Sequence, residues 1–404
     1  MLKKGDCIDI GEKRIRLLTD PVRNEKSWDC VTYTAAAEQI LPEGAAGKKY
    51  FVKYAYEKNN DFAMKILGRE EKFRMYYPYI EHIYGSFSWE DSNGRIRGVL
   101  AEFIHGMDLE EYRRREKLLN EEEMFRYMVQ ILYAVQYYVK ISDRDPYVHR
   151  DLKPENIMIC SEKKRAYISD FDWAHVPSGN GTRYMNSIGG TRGYTDPRAF
   201  VMSDTDIQMD IYALGRVFCF WLRGKPYFQG DEDKEYIEDP KLAYGLKMER
   251  IPEKFRQEKY RDFIRIIEKM VAPLNRRYKN ISDILRDMQR FLIGYYGGEE
   301  VYQQKIPEEA LLKKPMDIKA ASTVRVGAAD SVDRIRNTFS LENHRVCDIK
   351  VQNRPVMEVY NLDGNIYCVP LLSELRKEGE DQSFQIHDGD VFRTDGFALD
   401  FMID

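Results

Sequence analysis

His149-Arg150-Asp151-Leu152-Lys153-Pro154-Glu155-Asn156, with Asp170-Phe171-Asp172 a short way downstream, is the stretch on which the reading of this chain turns. It holds a carboxylate (Asp151), an ammonium (Lys153), an amide (Asn156) and a second carboxylate (Asp170). Moving a phosphoryl group takes such a set: an acid beside the attacking hydroxyl, a cation on the moving phosphate, and hard oxygen donors for magnesium. A surface turn that happens to be charged is the plain alternative.

Upstream, residues 12 to about 104 read as strands with one helix among them. Arg14–Thr19, Cys30–Ala36 and Lys49–Tyr56 are rich in β-branched and aromatic residues. Asp61–Tyr77 places Phe62, Ile66, Phe73 and Tyr77 at helical spacing. Two more strands, around Ile83–Trp89 and Ile96–Phe103, meet at Ser92-Asn93-Gly94. Downstream from Asp108 to about Phe291 the pattern is helical, with Glu121–Ile141, Asp210–Arg223 and Tyr260–Ala272 the clearest helices. Beyond Tyr295-Tyr-Gly-Gly298 short strand-like runs separated by turn residues argue for a small β-sandwich or barrel at about 319–404.

The length of 404 residues exceeds one ordinary domain, and 43% hydrophobic with 32% charged residues describes a globular chain. With 63 basic and 67 acidic residues the net charge is −4, so no nucleic-acid partner is expected. The six cysteines are scattered without CxxC pairs, as reduced thiols of a cytoplasmic protein would be. The apolar run around Val217–Leu222 is far too short to span a membrane, and the first residues have no apolar core, so no secretion signal is expected there.

Eight positions in register make the 149–156 stretch resemble the protein kinase family, and the resemblance extends over about residues 12–293. It implies an α+β, bilobal fold: a small β-rich N-lobe, a helical C-lobe, and the catalytic loop at their junction. It implies ATP and Mg2+ as cofactors, Asp151, Lys153 and Asn156 as catalytic residues, and Asn156 and Asp170 as metal ligands. Lys53 takes the place of the phosphate-holding lysine, with Glu70 its chosen partner and Glu71 the competitor. Glu102 and Ile104 stand where backbone groups bond the adenine edge, Asp108 where an acid contacts ribose, and Met158 at the floor of the base pocket. Asp108 also reads as a helix N-cap and Met158 as plain core. Lys153-Pro154 and Gly190-Thr191-Arg192-Gly193-Tyr194 resemble Ser/Thr rather than tyrosine kinases, with Thr191 supporting Asp151. Asp210 matches the buried acid that braces the catalytic loop.

Four positions depart from the family pattern. No glycine-rich loop lies between the first two strands, where Thr19 to Ser27 has no glycine; Arg23, Asn24 or Lys26 is the expected substitute for its phosphate contacts. Phe51 replaces an alanine over the adenine, with Ala101 at the gatekeeper position as the compensating small residue. Asp172 replaces the glycine after Asp170-Phe171. Arg198 replaces the glutamate that would pair Arg277, leaving Asp196 as the candidate counter-charge. Thr182 and Ser187 are the expected autophosphorylation sites.

Thr323–Gly327, Asn343–Ile349, Asn361–Gly364 and Asp388–Gly396 resemble a forkhead-associated domain. Ala328 and Leu341 occupy the positions of that family's phosphate-binding arginine and serine, so phosphothreonine binding is expected to be absent and His344 to be a core histidine. The expected organisation is a kinase-like domain at 1–296, a linker at 297–318 and the all-β sandwich at 319–404. The expected function is a Ser/Thr protein kinase acting on a protein substrate, its C-terminal module docking a protein partner, with no nucleic acid or membrane partner. A nucleotide-binding pseudokinase scaffold and a small-molecule kinase are the alternatives.

Overall fold

Cys30–Leu41, the longest strand among the described residues, organises the N-terminal part of the chain because both of its flanks are paired. In the computed structural model the strands are β1 (Cys7–Ile10), β2 (Lys13–Leu17), β3 (Val22–Ser27), β4 (Cys30–Leu41), β5 (Lys49–Tyr56), β6 (Ile83–Asp91) and β7 (Gly94–Glu102). They form one sheet in the order β1-β2-β4-β5-β7-β6, with β3 also on β4, all antiparallel. The terminal strands β1 and β6 touch, so the sheet curls on itself. Its inside is filled by Ile8, Ile15, Leu17, Tyr33, Tyr50, Val52, Tyr54 and Phe87. Helix α1 (Asp61–Glu70) covers the other face, setting Ala63, Ile66 and Leu67 against Ile83, Val99 and Ala101.

The structure describes residues 2–10, 13–27, 30–41, 47–58, 60–70, 77–116, 119–140, 147–174, 190–200, 206–228 and 243–306, and eight strands within 322–403. The chain divides into two compact units, Met1–Tyr76 with His82–Phe103 and Met316–Asp404, and Tyr77–Glu81 with Ile104–Pro315.

The second unit is helical. Helix α3 (Glu121–Lys140) and helix α4 (Ile207–Arg223) are apolar on most faces and lie in its core. Helix α2 (Leu109–Arg115) precedes them; α5 (Arg261–Met270) and α6 (Ile281–Tyr296) follow, α6 capped by Asn280, which accepts the Asp283 N–H at 2.9 Å. In a three-stranded sheet of β8 (Met107–Asp108), β9 (Ile157–Cys160) and β10 (Arg165–Ile168), β9 directly follows residues 149–156 and β10 leads to Asp170.

Two expectations change. Arg14–Thr19 is not one strand followed by an open loop: β2 ends at Leu17, and Val22–Ser27 is itself a strand, zipped onto β4 from Val22↔Thr34 to Ser27↔Cys30. The alternation that would have shown it is hidden, because Arg23, Asn24, Glu25 and Lys26 are polar on both faces. The stretch assigned to a linker begins with a further helix, α7 (Glu299–Lys305), which buries Tyr302 and is held to α3 by Arg126 donating to the Lys305 carbonyl at 2.9 Å. The expected helix at Asp61–Tyr77 is described as far as Glu70, and residues 71–76 lie outside the described residues.

The C-terminal strands are β11 (Ser322–Ala328), β12 (Asn337–Leu341), β13 (Val346–Val351), β14 (Arg354–Leu362), β15 (Asn365–Pro370), β16 (Phe384–Ile386), β17 (Val391–Arg393) and β18 (Ala398–Ile403). They form two four-stranded antiparallel sheets, β12-β11-β18-β17 and β13-β14-β15-β16. They include β12 (Asn337–Leu341), absent from the sequence reading. His344 and the Asp388-Gly389 and Asp395-Gly396 turns lie outside the described residues.

Candidate active site

Asp151 sits at the centre of a cluster built from one loop and one later turn. The chain leaves Arg150 in a left-handed conformation (φ 73) and closes a single 3-10 turn at Pro154–Asn156. That turn folds Asn156 back: its Nδ2 donates to the Asp151 carbonyl at 2.8 Å and to Asp151 Oδ2 at 3.3 Å. Lys153 Nζ lies 3.1 Å from Asp151 Oδ2 and donates to Thr191 Oγ1 at 3.0 Å, while the Thr191 hydroxyl donates to Asp151 Oδ1 at 2.8 Å. Both carboxylate oxygens are thus held, on a residue only 4% exposed.

The loop is fixed from behind by Asp210, which α4 projects into the core at 0% exposure. Its carboxylate accepts the backbone N–H groups of His149 (2.7 Å) and Arg150 (2.9 Å) and the Tyr138 hydroxyl (2.8 Å). Burial pushes the Asp210 carboxyl up, opposed by His149 and by these hydrogen bonds. His149 is wholly buried; its Nδ1 faces the Asp151 N–H at 3.4 Å, so Nε2 carries the proton and donates to the Ser169 carbonyl at 3.1 Å. The Ser169 N–H in turn donates to the Asn156 carbonyl at 3.0 Å, tying the segment before Asp170 to the Pro154–Asn156 turn. Asp170 is left-handed (φ 61), a conformation costly for a non-glycine residue and typical of functional turns. Phe171 behind it packs on Tyr138 and His149, and Asp172, in the place of a glycine, is 1% exposed.

Gly190 explains how Thr191 reaches Asp151. Its φ of +123 is a glycine conformation, and an added Cβ would stand 2.3 Å from Thr195 Oγ1. The sequence reading noted Thr191 but not this close approach, which no local pattern announces. Asp196 resolves the charge problem at Arg198: Arg277 Nη1 donates to its Oδ2 with both side chains 0% exposed, and Arg198 Nε donates to the same oxygen at 3.1 Å. Burial alone would raise Asp196, but the charge and hydrogen bonds of Arg277 and Arg198 hold it below the usual carboxylate range. Arg198 also reaches Asp206, the N-cap of α4, at 3.2 Å.

Asp108 and Met158 are cross-strand neighbours in β8 and β9. Asp108 caps α2, accepting the Glu111 N–H at 2.7 Å with one of its two oxygens. Glu102 ends β7 and its N–H donates to the His82 carbonyl at 2.7 Å. The Ile104 carbonyl accepts the Gly106 N–H at 2.9 Å, which uses one of its two lone pairs.

In the first unit, Lys53 of β5 and Glu70 at the end of α1 pair at 3.3 Å, at 6% and 3% exposure. Glu70 is thus a carboxylate that Lys53 meets, and Glu71, the competitor, lies outside the described residues. The register sets Ala36, Phe51 and Ala101 in one row across β4, β5 and β7, so the phenylalanine is flanked by two small residues on its own face. Arg23 pairs with Glu25 and Asn24 Nδ2 donates to Thr34 Oγ1 at 3.2 Å within the β3–β4 hairpin. Residues 28 and 29 at its tip, and Thr182 and Ser187, lie outside the described residues.

Asn156 carries the fit for a hard cation. Its Nδ2 is spent on Asp151, and its Oδ1 accepts no hydrogen bond among the described residues, on a side chain 4% exposed. Such an oxygen, with a carboxylate on Asp170, is the donor chemistry that Mg2+ takes. Among the described residues no helix is long and apolar enough to cross a membrane.

The protein kinase domain family matches residues 39–288, more than half of the chain, beginning after the β1–β3 strands. An Aurora kinase of Debaryomyces hansenii is 28% identical over 210 residues, 47% of this chain and 48% of that protein. The serine/threonine-protein kinase PrkC of Bacillus subtilis is 28% identical over 196 residues, 48% of this chain and 29% of that protein. The probable serine/threonine-protein kinase PknB of Lactococcus lactis is 29% identical over 133 residues, 33% of this chain and 20% of that protein. The chain thus spans less than half the length of these relatives.

Proposed function

We propose that this chain, which belongs to the protein kinase family, transfers the γ-phosphoryl group of ATP to serine or threonine hydroxyls of a protein substrate. The observation that carries the reading is the cluster of Lys153, Asn156 and Thr191 around Asp151, each within 3.3 Å of its carboxylate. Mg2+, when bound, neutralises charge on the phosphate oxygens, and Asn156 and Asp170 are the residues to hold it.

Asp151 orients the incoming hydroxyl and accepts its proton as the oxygen attacks phosphorus. Thr191 and Asn156 fix the rotamer of that carboxylate before substrate arrives, so little reorganisation is left for the reaction. Lys153 supplies positive charge to the phosphoryl group in flight. Lys53, positioned by Glu70, holds the α- and β-phosphates; Glu102 and Ile104 bond the adenine edge through their backbone, Asp108 the ribose, and Met158 floors the base. The Ser/Thr preference rests on Lys153, Pro154 and Thr191, and agrees with the names of the relatives.

The C-terminal module at about 319–404 is proposed to be a degenerate forkhead-associated sandwich that docks a protein partner. Its two four-stranded sheets support this, and Ala328 and Leu341, at the ends of β11 and β12, supply neither guanidinium nor hydroxyl for phosphate. A scaffold without turnover is the second reading, favoured by the glycine-free β3–β4 hairpin where a phosphate-wrapping loop is expected.

Incubation of the full chain with Mg2+ and γ-labelled ATP and a generic protein, with Asp151→Asn as control, separates the readings. Label on Ser or Thr, reduced by about three orders of magnitude or more in the variant, is the expected result. ATP binding without transfer in the native chain establishes the scaffold instead.

A further inference from the structure

Between α5 and α6, far along the chain from the catalytic loop, lies an open groove of about 790 Å³. Ile266, Phe291 and Tyr295 supply its apolar lining, joined by Tyr278, whose hydroxyl donates to Asp287 at 2.7 Å. The groove's charges do not cancel. Asp262 and Asp287 are each paired with an arginine of their own helix, Arg265 and Arg290, at 3.3 Å. Lys259 and Lys269 have no carboxylate partner among the described residues; aromatic rings lie under them instead, Tyr260 at 4.6 Å and Tyr278 at 3.9 Å. Each ring holds its ammonium in place without neutralising it.

Gly294 is a second, separate observation. It stands exposed inside a sixteen-residue helix, where glycine is a poor choice, and an added Cβ there would meet nothing within 4 Å. No steric contact demands the glycine, and its effect is to leave the groove wall bare.

We propose that this groove docks an acidic, leucine-like segment of a protein partner, its apolar side chain on Ile266 and Phe291 and its carboxylates on Lys259 and Lys269. Charge complementarity selects this occupant: the cations lacking a carboxylate partner flank an apolar floor, which suits alternating acidic and aliphatic side chains. A partner held there is anchored independently of the residues that surround its hydroxyl. Only the kinetic arm of the test rests on the kinase reading.

The test uses the full chain and a short fluorescein-labelled peptide of repeated Glu-Asp-Leu, read by anisotropy. Native protein is expected to bind saturably, and Lys259→Glu with Lys269→Glu, or Gly294→Phe alone, to weaken binding by about tenfold or more. Gly294→Ala should bind as the native protein does and melt higher, which shows that the position tolerates substitution. With the same peptide fused to a serine substrate, the charge-reversed protein should show a raised KM and an unchanged kcat, and unfused substrate should be turned over as before. No saturable binding by the native chain, equal binding by the charge-reversed chain, or displacement of the peptide by a single-stranded oligonucleotide at equal charge overturns the proposal. Absence of turnover with peptide binding intact overturns the kinase reading and leaves the groove standing.

Discussion

Asp196 shows at the scale of one residue how a sequence departure is absorbed. Losing the usual glutamate would strand Arg277 and Arg198, and a carboxylate two positions earlier takes both. Asp196→Ala leaves a wholly buried guanidinium without its anion and should cost about 3–5 kcal/mol in urea unfolding. The pH dependence has a definite sign. The folded pKa lies below the ordinary 3.8, so the stabilisation is complete above that pH and is lost as pH falls through the lower folded value. Asp196→Asn should therefore flatten the stability curve below about pH 3.8, measured by denaturant melts across the acid range. At Gly190 the demand is geometric. Gly190→Ala, with φ +123 and a Cβ 2.3 Å from Thr195 Oγ1, should displace Thr191 and lower the transfer rate at least about tenfold while ATP affinity holds. Asp196 was legible as a candidate from its charge alone; Gly190 was not, because its constraint comes from Thr195 and the Arg150 carbonyl meeting in space.

Elements carry the next level of constraint. The row Ala36-Phe51-Ala101 belongs to three strands, and the cross-strand register makes the compensation suspected from Phe51 and Ala101 a direct neighbour relation. Ala101→Met should overpack this row by about 1–3 kcal/mol, and Phe51→Ala in the same chain should recover most of it. A double-mutant cycle by thermal unfolding checks the coupling, and additive effects would sink it. The β3–β4 hairpin was invisible to pattern reading since its outer strand is polar throughout; only pairing with β4 makes it a strand. Helix α7 was missed for a related reason, being short and amphipathic only through Tyr302.

The whole molecule joins a curled sheet, a helical unit and a further pair of sheets, and each obeys its own packing rule. At this scale a phosphothreonine peptide should show no saturable binding to the full chain, because neither Ala328 nor Leu341 can replace the missing phosphate donors; tight binding by calorimetry would contradict the assignment. The sequence by itself determined the chemistry available: Asp151, Lys153, Asn156 and Asp170, their order, and the switch from strand-like to helical periodicity around them. Those are local properties, carried by residue type and spacing. Only tertiary structure supplied the contacts that the sequence left as expectations: Thr191 and Lys153 reaching one carboxylate together, Glu70 meeting Lys53, and Asp196 serving two arginines at once. Such pairings depend on which distant segments burial brings together, and side chains many residues apart carry no periodic signal of their meeting.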